Sequence, residues 1–330
     1  MRRIFLVVIL FSLFFQAKAQ YHLLNQLLLP EEKYNKKRAA LVHTTMASGF
    51  TATMFGLKSA WYANYDRSKF HFFNDNNEWL QCDKVGHFAW SYYGAYVAGQ
   101  AYKWTGMPYK KAALYGAGVG LGMTLIVEVL DGFSNKWGFS NGDLIADIGG
   151  AGLYLAQELA WKQQRILFKY SSHNTRYAPM ALEKRADDLY GKGVLYRMVK
   201  DYNGMTFWLS ANIHDFLPKN NKVPKCLNIA IGYGAANMFN GADSLKYAPQ
   251  GIWYSPEGKR VYGTPSPNDY LFNQARYRQF YLSLDLDLSK VHTKYNWLNT
   301  LCKTVNVIKF PAPALEYNTT GQWKFHSLYF

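Results

Sequence analysis

The stretch from Ala112 to Glu128 reads AALYGAGVGLGMTLIVE, and from Ala112 to Val127 it carries no Asp, Glu, Lys or Arg. Gly116, Gly118, Gly120 and Gly122 set two overlapping G-x-x-x-G pairs into this apolar run. Glycine costs a soluble helix about 1 kcal/mol against alanine. In lipid the same residue lets helix backbones approach closely. The pattern therefore predicts a helix packed through small residues, in a bundle that is membrane-embedded or membrane-adjacent. A compact periplasmic bundle is the alternative.

Working outward, Ala39 to Leu57 and Val85 to Tyr102 are also free of charged residues, and Leu144 to Gln157 is broken only by Asp147. Gly149, Gly150, Ala151 and Gly152 repeat the small-residue theme. Runs of this kind, near ~20 residues, lie at the border between a buried soluble helix and a membrane span. About four helices result. Lys103 to Pro108 turns one into the next, with Pro close to the new start. Asn64 to Leu80, which contains Phe70, His71, Phe72, Phe73, Asn74 and Asp75, reads as an interfacial loop.

Near residues 170–200 the chain changes character. Thr206 to Phe216, Cys226 to Tyr233 and Gln279 to Leu288 alternate with a period of two, and Gln322 to Phe330 is a further candidate strand. In the third of these, Tyr281, Ser283, Asp285 and Asp287 share one face, and Phe280, Leu282, Leu284, Leu286 and Leu288 the other. Pro311 and Pro313 argue against a central strand at that point. The terminal Phe330 resembles the end of an outer-membrane barrel, but about five strands fall short of the ~8 a barrel needs, so a small antiparallel sheet is expected. The fold class is α+β: a Gly/Ala-rich N-terminal helical bundle, then a β-rich antiparallel C-terminal half. The expected organisation is a signal peptide over 1–19, an N-terminal segment over 20–36, the bundle over 37–170, a linker over 171–203 and the β-rich region over 204–330.

The signal peptide is read from Arg2 and Arg3, the apolar run Ile4 to Phe15, and the small-x-small site Ala17-Lys18-Ala19. A retained membrane anchor is disfavoured because the apolar run is shorter than the ~20 residues of a span. No Cys follows it, which argues against a lipidated N-terminus. Charged residues make up 18% of the chain and aromatics 17%, a balance that suits a membrane–water interface better than an ordinary soluble enzyme. The net charge is +15. Export argues against nucleic acid, leaving membrane lipids or anionic envelope polymers as the expected partners, with Lys and Arg spread for solubility as the alternative. Cys82, Cys226 and Cys302 match no zinc spacing and leave at least one thiol free; buried free cysteines are expected.

The chemistry concentrates on the Gly-rich helices. Asp83, His87 and Ser91 recur at i, i+4 and i+8, along one helix face. Glu128 and Asp131 end the most apolar helix, and Asp143 and Asp147 open the next after a short loop. Antiparallel packing would bring these acids and the imidazole to one end of the bundle. Crowded carboxylates repel, so some must take up protons or share a cation. Oxygen ligands suit Mg²⁺, Ca²⁺ or Mn²⁺, and His87 adds Zn²⁺; a raised carboxyl beside His87 would equally suit acid–base work. The plainer readings are that Ser140 and Asp143 form a capping box, that Asp83 favours the helix dipole, that His87 is a satisfied core histidine, and that Asp131 caps the loop. Glu128 and Asp147 are flanked by apolar residues, where an acid is rarely left unpaired. Nucleophile-elbow, Walker, HExxH and dinucleotide motifs are absent from the sequence.

The runs Phe70 to Asp75, Glu78 to Gln81 and Asp83-Lys84-Val85-Gly86-His87-Phe88 resemble the YfiM-like family of bacterial envelope proteins, as do Glu128 to Ser134 and Trp137 to Asp143. The resemblance continues through Lys200 to Asn203 and Lys309 to Glu316, and implies a periplasmic or lipoprotein setting. Asp83, Lys84, His87, Glu128, Ser140 and Asp143 are also similar in pattern to VanZ-like membrane proteins, which implies a polar site on membrane helices. The expected function is that of a non-catalytic, membrane-associated protein of the cell envelope, periplasm-facing, that binds lipid or a partner. One alternative is a metal-assisted hydrolase or transferase acting on a lipid-linked or cell-wall substrate through Asp83, His87, Glu128, Asp131, Asp143 and Asp147, with a divalent cation. The other is an outer-membrane assembly or transport component.

Overall fold

The charge-free stretches are helices in the computed structural model, which describes residues 26–57, 66–178, 180–239, 241, 251–254, 260–263 and 275–330. The stretch read as a signal peptide, 1–19, lies outside these. Helix α1 spans Lys36–Leu57, α2 Cys82–Trp104, α3 Tyr109–Asp131 and α4 Asn141–Trp161. Local chemistry sets their starts. Asn35 Oδ1 accepts the N–H groups of Lys37 and Arg38 at 3.0 and 3.1 Å, Pro108 precedes α3, and Ser140 Oγ accepts the Asp143 N–H at 3.2 Å.

Helices α2, α3 and α4 cross through glycine. A Cβ added at Gly120 would lie 2.3 Å from the Ser91 carbonyl oxygen, and one at Gly150 2.1 Å from that of Phe88. Only a residue without a side chain permits such an approach. Gly118 and Gly122 have nothing within 4 Å, so one of the two G-x-x-x-G pairs makes the crossing.

Six strands form one antiparallel sheet in the order β1-β2-β3-β6-β7-β8, with β4 and β5 a separate hairpin. They span β1 Ile166–Ser172, β2 Met205–Asn212, β3 Leu227–Ala236, β4 Gly251–Tyr254, β5 Arg260–Gly263, β6 Tyr277–Leu286, β7 Ala312–Asn318 and β8 Trp323–Tyr329. Two short helices, α5 Met180–Tyr190 and α6 Val194–Lys200, occupy the stretch read as a linker, and the sheet already begins at Ile166, inside the stretch read as bundle. A last helix, α7, spans Asn296–Val305. The segment after it returns to β1: Tyr170 N–H donates to Val307 O at 2.9 Å, and Lys309 N–H to Tyr170 O at 2.9 Å. The sheet also curls, because Tyr329 on β8 meets Thr206 on β2 at 3.0 Å.

The alternation of β6 sorts its faces unconventionally. Asp285 is 1% exposed and Lys169 0%, while Ile231 is 64% and Leu282 49% exposed. Polar side chains fill the inside of the curl, and apolar ones point out. The interior is paired. Asp285 Oδ2 accepts Lys169 Nζ at 2.8 Å and Ser210 Oγ at 2.6 Å, and its Oδ1 accepts the Phe310 N–H at 2.9 Å. Buried charges persist when every lone pair is met in this way. At β1 and β2 the outer face is covered by α2, whose Phe88, Tyr92 and Tyr93 pack on Phe168, and Tyr93 OH donates to Phe168 O at 2.8 Å.

The prolines are the point at which the sequence reading needs correcting. Strand β7 is an interior strand, bonded to both β6 and β8. Pro313 is tolerated because the β7–β8 register slips between Ala312 and Ala314, leaving its missing N–H outside the ladder. Its carbonyl still accepts Ser283 Oγ at 2.9 Å. The cysteines are free, with Cys82 buried.

Candidate functional site

Three consecutive non-glycine residues with positive φ, Trp79 (49°), Leu80 (49°) and Gln81 (63°), make the turn that opens α2. Such backbone persists only when its surroundings over-determine it. Trp79 N–H donates to Gly241 O at 2.7 Å, Tyr233 OH donates to Leu80 O, and Arg278 Nη2 donates to Gln81 Oε1 at 2.7 Å. Residues of β3 and β6 thus hold the turn that brings Asp75 and Asp83 to the same place.

Lys84 stands at that place. Its Nζ lies 2.7 Å from Asp75 Oδ1, 2.8 Å from Asp143 Oδ1 and 3.4 Å from Asp83 Oδ2. One helical turn on, His87 lies between two acids, with Nδ1 3.2 Å from Asp147 Oδ1 and Nε2 3.5 Å from Glu128 Oε1. Ser140 ties the loops in: its Oγ donates to Asp75 Oδ1 at 2.6 Å and its N–H to Glu128 Oε2 at 3.0 Å. Tyr202 reaches across from the second half and donates to Asp83 Oδ1 at 2.8 Å. Ser91 donates to the Asp147 carbonyl at 2.7 Å. Five of the six acid and imidazole residues singled out in the sequence, Asp83, His87, Glu128, Asp143 and Asp147, therefore share one cluster. Asp131 ends α3, half-buried, and acts on Glu128 through its charge.

Over this cluster the two aromatic loops are stitched together. Ser68 N–H donates to Phe133 O at 2.8 Å, His71 N–H to Gly132 O at 2.9 Å and Phe73 N–H to Phe139 O at 3.0 Å. The rings of Phe70 and Phe133, and of Phe72 and Phe139, meet edge-on. Phe70, Phe72, Phe73 and Phe133 stay exposed.

The electrostatics follow from burial and these partners. Burial alone would lower the His87 pKa, but the hydrogen bond to Asp147 and the charges of Asp83, Asp143 and Asp147 outweigh it and raise it to about 10. Burial raises Glu128 to about 8, opposed by His87 and the Ser140 N–H. Burial and the Asp83 charge raise Asp143 to about 7, opposed by His87 and Lys84. For Asp75 the penalty of burial is overcome by Lys84 and Ser140, which hold it below the usual carboxylate range. For Lys84 the charges and hydrogen bonds of its acids more than cancel burial and push it up. An imidazolium whose Nδ1 donates to the Asp147 carboxylate is not available as a base near neutrality.

One ligand atom each from Asp83, His87 and Asp143 lies within 4.8 Å of the others, a set able to hold a metal ion. The donor chemistry fits a divalent cation, although the Lys84 ammonium already rests against two of the three. Asp147 Oδ2 is buried without a hydrogen-bond partner among the described residues.

Asp75, Lys84 and Tyr202 were not among the site candidates. Asp75 sits in an aromatic loop, and Tyr202 lies more than a hundred residues beyond Asp83 in the chain, so helical spacing pointed to neither. Lys84 entered only through the VanZ-like pattern; the signal in the residues themselves was its place beside Asp83 at the head of a helix that is then free of Asp, Glu, Lys and Arg until Lys103.

No characterised protein and no solved structure matches the chain. Residues 71–157 match the model of a family of unknown function (DUF2279), described as a predicted periplasmic lipoprotein. The matched span runs from the aromatic loop through most of α4 and holds every member of the cluster except Tyr202. The match fits an exported, envelope-associated protein.

Proposed function

We propose that this is a membrane-associated protein of the bacterial envelope with a non-catalytic role, binding lipid through its helices while the Lys84–His87 cluster locks the bundle. The observation that carries the reading is the orientation of the helices. Glu128 is 1% exposed and Asp147 0%, while Trp90, Val97, Leu114, Ile145 and Ile148 all face outward. A soluble bundle places its apolar stripe inward; an arrangement with acids inside and large apolar side chains outside suits a lipid surround. Among the described residues one helix, Tyr109–Asp131, is long and apolar enough to cross a membrane by length and composition. The YfiM-like resemblance of the same motifs, and the lipoprotein description of the matched family, point the same way. The charges inside are used on one another, as a structural lock requires. The test is flotation of the purified mature protein with phospholipid vesicles at 0.5 M salt, where apolar contact survives and surface charge is screened. Recovery of the protein in the lipid-free fraction removes the reading.

A second reading rests on the proximity of Asp83, His87 and Asp143: a metal-assisted hydrolase or transferase acting on a lipid-linked or cell-wall substrate. It requires that Mn²⁺ or Zn²⁺ bind stoichiometrically and that Asp143→Asn abolish the binding. An absence of any recruitable ion by titration calorimetry and metal analysis discards it.

A further inference from the structure

The register of the sheet aligns one aromatic residue from every strand. Tyr170 pairs with Phe207, Phe207 with Tyr233, Tyr233 with Phe280, Phe280 with Tyr317, and Tyr317 with Trp323. All six belong to the outward set. The next outward row is Phe168, Leu209, Ile231, Leu282, Leu315 and Phe325. A third row follows at Ile166, Ala211, Ile229 and Leu284. None of these three rows contains a charged residue. On β1 and β2 the helices cover part of the band, but Ile229, Ile231, Phe280, Leu282, Leu284, Leu315, Tyr317, Trp323 and Phe325 are all exposed.

The two margins of this band differ. One is the aromatic row. The other is the β2–β3 connection, which carries the exposed Lys219, Lys222 and Lys225, with α7 following β6. Helix α7 buries none of its residues, and its Trp297, Leu301 and Val305 are exposed at i, i+4 and i+8, the stripe of a helix lying in an interface. Aromatic rings and lysines are the residues that anchor at headgroup level.

We propose that the outer face of the C-terminal sheet lies on one leaflet of an anionic phospholipid bilayer, with the aromatic row and the lysine–α7 margin both reaching the headgroups. The width of the band supports lying on the bilayer. Three rows two residues apart span about 14 Å at ~3.4 Å per residue, roughly half of the ~30 Å hydrocarbon thickness. A partner protein buries a bounded patch with a polar rim; here the apolar rows run without interruption across adjacent strands and end in interface-seeking residues on both sides. The basic margin and the net charge of +15 select anionic headgroups. The proposal rests on the membrane-associated reading but places a lipid contact on the half of the molecule that does not hold the cluster.

The experiment compares the full mature protein with the double variant Ile231→Glu/Leu282→Glu in binding to vesicles of phosphatidylglycerol and phosphatidylcholine. Both side chains point away from the interior. The expected result is at least a tenfold loss of vesicle affinity with the circular dichroism spectrum kept; if the glutamates unfold the sheet, Ile231→Ser/Leu282→Ser makes the same comparison. Lys219→Glu/Lys222→Glu/Lys225→Glu should erase the preference for phosphatidylglycerol over phosphatidylcholine alone. A folded double variant that binds as the wild type does would overturn the inference and leave the helical contact standing, whereas a wild type that binds no vesicle removes both. Light scattering that finds a lipid-free dimer abolished by the same variants would assign the face to a second copy instead.

Discussion

Lys84→Met tests the internal lock directly. In the wild type one ammonium serves Asp75, Asp143 and Asp83 at 2.7, 2.8 and 3.4 Å. Methionine keeps the stem and removes the charge, leaving these carboxylates to face one another. Removing one partner of a buried ion pair costs about 3–5 kcal/mol. Part of that is relieved here, because Asp143, already raised to about 7, can take up a proton. A loss near the lower end, ~3 kcal/mol, is therefore expected, and at ~2–4 °C per kcal/mol it lowers the melting temperature by roughly 6–12 °C. The assay is intrinsic tryptophan fluorescence on heating, in one detergent or vesicle preparation at pH 7, for wild type, Lys84→Met, Asp143→Asn and the double variant. If the cation acts through Asp143, the double variant melts above Lys84→Met, with a coupling of about 1–2 kcal/mol. A Lys84→Met protein that melts within 2 °C of the wild type refutes the assignment of Lys84 as the cation of the cluster.

Stability should fall as pH rises from about 6.5 to 10, because His87, Glu128 and Asp143 have folded pKa values of about 10, 8 and 7, against ordinary values of 6.5, 4.5 and 3.8. The native state holds more protons than the unfolded chain across that interval; the Asp143 and Glu128 contributions fade through pH 7–8 and that of His87 by pH 10. A melting temperature that climbs between pH 6.5 and 9.5 contradicts this. Glu128→Gln should stay within about 1 kcal/mol of the wild type at pH 6, since an amide oxygen still accepts the Ser140 N–H, and its melting curve should depend less on pH between 7 and 9. Gly120→Val should separate α2 from α3, because its first carbon meets the Ser91 carbonyl at 2.3 Å; a loss of about 3 kcal/mol or failure to fold is expected, while Gly122→Val, with open space around it, should be tolerated.

By itself the sequence determined what depends on neighbours in the chain. Runs without charge became α1 to α4, Ser140 caps the helix that Asp143 enters, and the spacing of Asp83 and His87 puts them on one face. Alternation over 279–288 likewise announced a strand with two unlike faces. Which face turns inward was a tertiary matter. A period of two separates polar from apolar side chains without saying which set meets the interior, and the polar set can be buried only because the curl of the sheet brings Lys169 of β1 across the interior to Asp285 of β6. Pro313 entered an interior strand because the register slip between its own strand and β8 spared its missing donor. The cation of the cluster was decided the same way: Asp75 and Tyr202 reach Asp83 and Lys84 from a loop and from the far half of the chain, a meeting of long-range partners that no local periodicity encodes.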